Sequence, residues 1–132
     1  MHKGFLITGC ALGALAVILG AFGAHGLKKI VPPETVSTFE TGVRYQFYHC
    51  FALIIVAILA ERFNAAWMNY AGYSFITGII LFSGSLYLLT ILKATATVGL
   101  NGIGAITPIG GLFLVAGWAL AIVGLSRHNV NS

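Results

Sequence analysis

The chain has no aspartate, three glutamates and seven lysines or arginines in 132 residues. Charged types make up 8%, where a soluble domain carries roughly 25%. That is too little charge to solvate the surface of a globule this small, which excludes a soluble enzyme and a disordered tail. The basic residues are scattered rather than gathered into a patch, so no nucleic-acid partner is expected. Two cysteines, both inside apolar runs, make no disulfide framework. With four histidines they show no metal-ligand spacing, so neither a metal nor any other cofactor is expected. HExxH and GxSxG motifs are also missing, which speaks against a hydrolase and leads us to expect a non-enzymatic protein.

What the chain has instead is apolar length. Hydrophobic types reach 58% and the mean hydropathy is +0.95. Four runs stand out, at about 4–26, 42–62, 70–92 and 108–125. Each is long enough for a helix to cross a hydrocarbon layer of about 30 Å. None alternates as a barrel strand must. The expected fold is all-α, a four-transmembrane-helix up-down bundle forming one membrane domain over 1–132, with the lipid bilayer as its surroundings. The first run is longer than a usual signal-peptide core and is read as a retained span.

The connections carry their own signals. Ser37-Thr38-Phe39-Glu40 reads as a capping box that starts the second helix before the membrane. Glu40 stands one turn before Arg44, a favourable order for an ion pair. Thr107-Pro108 reads as an N-cap and first position of the fourth helix. The uncharged stretch from Ala94 to Ile106 is expected in the membrane interface. Lys3, Arg62 and Arg127 lie on the side of both termini; Lys28, Lys29, Arg44 and Lys93 lie on the other. This count does not decide orientation. The free amino terminus tips the reading to both termini in the cytoplasm, in a bacterial inner membrane.

Up-down connectivity brings together the end of helix one, the start of helix two, the end of helix three and the start of helix four. These ends hold nearly every costly polar group: His25; Arg44, Tyr45, Gln46 and His49; Ser83, Ser85 and Tyr87; and Thr107. Polar residues inside a membrane turn to the bundle interior and partner one another, so one shared cluster is expected. Each also has a plainer reading. His25 suits a helix C-terminus through the dipole, and His49 can be a neutral hydrogen-bonding link between helices. Arg44 can snorkel, and Tyr45, Tyr48 and Trp67 suit an interfacial aromatic belt.

Many of the 17 glycines have a packing explanation. Gly9, Gly13, Ala16, Gly20 and Ala24 step along the first helix, and Gly110, Gly117, Ala121 and Gly124 along the fourth. Small residues at such spacing let backbones approach closely in lipid.

The strings GAFGAHGL (20–27), FETGVRYQFYH (39–49), FSGSLY (82–87) and TPIGG (107–111) followed by Gly117-Trp118 occur in this order. On them the chain resembles the small membrane family catalogued as domain of unknown function 423, to which transmembrane protein 256 of animals is similar. The resemblance implies four spans and no established activity, and it carries over no catalytic residue. Three functions are weighed. The first is a structural or accessory bundle that oligomerises or joins a larger membrane complex. The others are a proton, ion or small-solute transport component and a haem- or quinone-binding subunit using His25 and His49.

Overall fold

In a computed structural model, residues 1–96 and 101–127 are described. The described residues form four α-helices: α1 (Lys3–Ala24), α2 (Pro33–Leu59), α3 (Ala65–Ala94) and α4 (Ile106–Ser126). All four are long and apolar enough to cross a membrane, and no strand occurs among the described residues. Extensive interfaces join α1 to α2, α2 to α3 and α3 to α4, so α1 and α4 are the outer helices.

The helix starts differ from the sequence reading in two places. α2 begins at Pro33, not at the Ser37 box. Proline is preorganised for the first helical position, and Glu34 complements the dipole in the same turn. Ser37 and Thr38 are therefore already helical, and the Thr38 hydroxyl donates back to the Glu34 carbonyl at 3.1 Å. α4 begins at Ile106, with Thr107 inside its first turn. A 3₁₀ turn, Asn101–Ala105, feeds α4 directly. Ala105 already has helical dihedrals, and no side chain caps this end. The Ala94–Ile106 expectation falls partly on residues 97–100, outside the described ones. The Glu40–Arg44 ion pair is not formed: among the described residues the one ion pair joins the Met1 ammonium to Glu61 at 3.9 Å.

Glycine holes set the helix registers. Along α4, Gly110, Gly117 and Gly124 face Phe82, Phe75 and Met68 of α3, each set stepping by seven residues. Between them Leu114 of α4 fills the space left by Gly78 of α3. This reciprocal seam keeps two helices in register over three turns or more, because a seven-residue step nearly closes two helical turns. On α1, Gly9, Gly13, Gly20 and Gly23 face Ile54, Cys50, Val43 and Phe39 of α2. Gly13 and Gly20 make looser contacts: an added Cβ would lie 3.6 Å from Cys50 Sγ and 3.5 Å from Val43. Ala24 is exposed, and the neighbouring Gly23 takes the buried position.

Two apolar clusters fill the interior. One contains Phe5, Leu53, Met68, Phe75 and Leu114 toward the termini. The other, toward the α1–α2 connection, contains Leu27, Val36, Phe39 and Val43. On α2 the buried polar residues Gln46 and His49 lie between these clusters.

Candidate functional site

Gln46 stands halfway along α2 and is 2% exposed. Its Nε2 donates to the Leu12 carbonyl of α1 at 2.8 Å, and its Oε1 accepts from the Tyr87 hydroxyl of α3 at 2.6 Å. Only one amide orientation satisfies this pair, because a backbone carbonyl can only accept. One side chain thus ties three helices. One turn earlier, Ser83 of α3 donates to the Gly42 carbonyl at 2.7 Å. Gly42 also makes room for the Tyr87 ring, on which a Cβ there would press.

His49 lies one turn beyond Tyr45 and is 5% exposed. Its Nδ1 is 2.7 Å from the Tyr45 carbonyl, and its Nε2 is 3.1 Å from the indole Nε1 of Trp118 on α4. Indole N–H only donates and a carbonyl only accepts, so the ring is neutral, with its proton on Nδ1. The imidazole packs against Phe75 and Trp118, with ring centroids 5.7 and 5.8 Å apart. Ser85 and Thr107 share a hydrogen bond between α3 and α4, which gives Thr107 a crosslinking role in place of a cap. Among the described residues no buried side-chain nitrogen or oxygen lacks a partner.

The structure brings Gln46, His49, Ser83, Ser85, Tyr87 and Thr107 into these interhelical bonds, but not as one cluster. Gln46–Tyr87 and His49–Trp118 are separate links. His25 and Arg44 stay outside, both exposed. The α1–α2 register explains His25. Leu12, the partner of Gln46, is thirteen residues before it, about 20 Å along a helix. Gly23 beside Phe39 sets His25 level with about Thr38, well short of Tyr45. Tyr45 is 39% exposed; it contributes its carbonyl and stacks its ring near Phe82, with centroids 4.7 Å apart. The sequence reading does not single out Trp118 as a site residue. Its signal is an indole N–H inside an apolar run, which needs an acceptor when buried in lipid. Among the described residues no three His, Cys, Asp or Glu side chains gather as a metal site.

Comparison with known proteins fits this picture of an apolar, four-span chain. Residues 19–111 match the model of the family described as "Protein of unknown function (DUF423)". The chain belongs to this family. The chain is similar to the UPF0382 membrane protein YwdK of Bacillus subtilis, 39% identical over 127 residues, covering 96% of this chain and 98% of the relative. The UPF0382 membrane protein SH2409 of Staphylococcus haemolyticus is 39% identical over 121 residues, covering 92% and 93%. The UPF0382 inner membrane protein YgdD of Escherichia coli is 37% identical over 124 residues, covering 92% and 88%. No solved structure matches the chain. It is a small integral membrane protein of the DUF423 family, and nothing in these likenesses points to an enzymatic activity.

Proposed function

We propose that the chain is a structural or accessory bundle of the bacterial inner membrane, and that its polar layer works as glue between helices. The observation that carries this is the saturation of the layer: Gln46, His49, Ser83, Ser85 and Tyr87 each end on a partner within the bundle. A transport path or cofactor pocket needs groups left free to meet a solute, and both nitrogens of His49 are engaged. Interhelical hydrogen bonds take the place of the hydrophobic drive that lipid does not supply. The exposed apolar faces of α1 and α4 meet lipid, a second copy or a larger complex. Both termini lie in the cytoplasm in this reading.

The test combines flux and stability. Liposomes containing the protein should pass protons and cations no faster than empty vesicles, while His49→Phe lowers thermal stability. Flux above the empty-vesicle level that His49→Phe abolishes would overturn the reading.

A further inference from the structure

The segment between α1 and α2 borders a cavity of about 370 Å³. That size falls within the roughly 300–1,000 Å³ of small-ligand sites. Lys28 of the 3₁₀ turn Leu27–Lys29 lines it, with Pro33, Ser37 and Glu40 of α2. Val31 and Val36 complete it; both are buried and belong to the apolar cluster around Phe39. The floor is therefore packed and apolar, and the rim carries one cation and one anion.

Depth locates this notch. The uncharged length of α1 stops at Ala24, and on α2 the charges end at Glu40 and Arg44 before the run to Leu59. The cavity thus opens at the level of the lipid headgroups. Its rim charges are also unspent. Among the described residues, no ion pair or hydrogen bond engages the side chains of Lys28, Ser37 or Glu40.

We propose that this notch seats the headgroup of a phosphoethanolamine lipid. The phosphate takes the Lys28 ammonium and the Ser37 hydroxyl, and the primary ammonium donates to the Glu40 carboxylate. The carbons between them lie on Val31 and Val36. Charge complementarity selects this headgroup over the alternatives. A choline headgroup has the phosphate but no N–H to donate to Glu40. A phosphoglycerol headgroup is a net anion that ends in neutral hydroxyls, so it brings Glu40 no cation. This inference does not rest on the polar layer: a failure of the glue reading changes stability or flux and leaves headgroup selectivity where it is.

The experiment is native mass spectrometry of the full-length, delipidated protein titrated with dioleoyl phosphatidylethanolamine, its N-monomethyl derivative, phosphatidylcholine and phosphatidylglycerol. Phosphatidylethanolamine should bind about tenfold more tightly than phosphatidylcholine or phosphatidylglycerol, the scale of one charge-assisted hydrogen bond. The monomethyl lipid, which keeps N–H donors, should bind nearly as well as the parent. Glu40→Gln should remove the preference, Lys28→Gln should weaken the binding of all four lipids, and Lys29→Gln should change neither. The methylation series uses the unmodified protein, so it decides the matter even if a variant does not fold. Equal binding of all four lipids, a preference for phosphatidylglycerol, or an unchanged preference in Glu40→Gln would overturn the proposal.

Discussion

The indole N–H of Trp118 donates to Nε2 of His49 across 3.1 Å, linking α4 to α2 near the middle of both helices. This bond requires a lone pair on Nε2 and so fixes the tautomer. Nitrogen-15 spectra of the labelled imidazole should show a protonated Nδ1 and a bare Nε2. A protonated Nε2 would contradict the link. Trp118→Phe leaves that lone pair buried without a donor and should cost about 1–2 kcal/mol in unfolding experiments.

The glycine seam predicts opposite outcomes for two alanine substitutions. A Cβ at Gly110 would overlap the Phe82 backbone, which has no side-chain freedom to yield. Gly110→Ala should therefore destabilise by about 1–3 kcal/mol, the usual range for overpacking. Gly84, inside α3, has nothing within 4 Å of its added Cβ. Gly84→Ala should be neutral or stabilise by up to about 1 kcal/mol, since alanine loses less backbone entropy in a helix. Thermal melts in one detergent would check both signs.

Exposure makes a different forecast for the histidine and arginine at the connection end of the bundle. Among the described residues His25 and Arg44 join none of the interhelical links, and both are exposed. His25→Ala and Arg44→Ala should each change stability by no more than about 0.5 kcal/mol, the usual limit for surface positions. A loss comparable to that of His49→Phe would place them in the bundle interior instead.

Much of this architecture could be read before any coordinates. Hydropathy fixes the spans because a helix must cover a known thickness of hydrocarbon. The small-residue steps of α4 likewise point to a seam. Register is harder, since it depends on which bulky residue fills which glycine hole, and that pairing belongs to two helices at once. His25 shows the consequence: the sequence puts it at the same end of the bundle as Arg44, and the Gly23–Phe39 contact sets it nearer the surface. Helix starts failed for a related reason. The Ser37 and Thr107 hydroxyls sit where caps are common, but Pro33 and the 3₁₀ turn before Ile106 had already begun the helices. Trp118 is not legible as a site residue in the sequence, because its partner is seen only when α4 is laid against α2.

If polar side chains hold these helices together, the Gln46–Tyr87 bond must carry a coupling free energy of its own. A double-mutant cycle of Gln46→Leu and Tyr87→Phe, measured by reversible unfolding in bicelles, isolates that bond from the packing around it. The expected coupling is about 0.6–1.7 kcal/mol, from the mean to the maximum measured for interhelical hydrogen bonds in a membrane protein. Single substitutions whose costs simply add, to within about 0.3 kcal/mol, would contradict it.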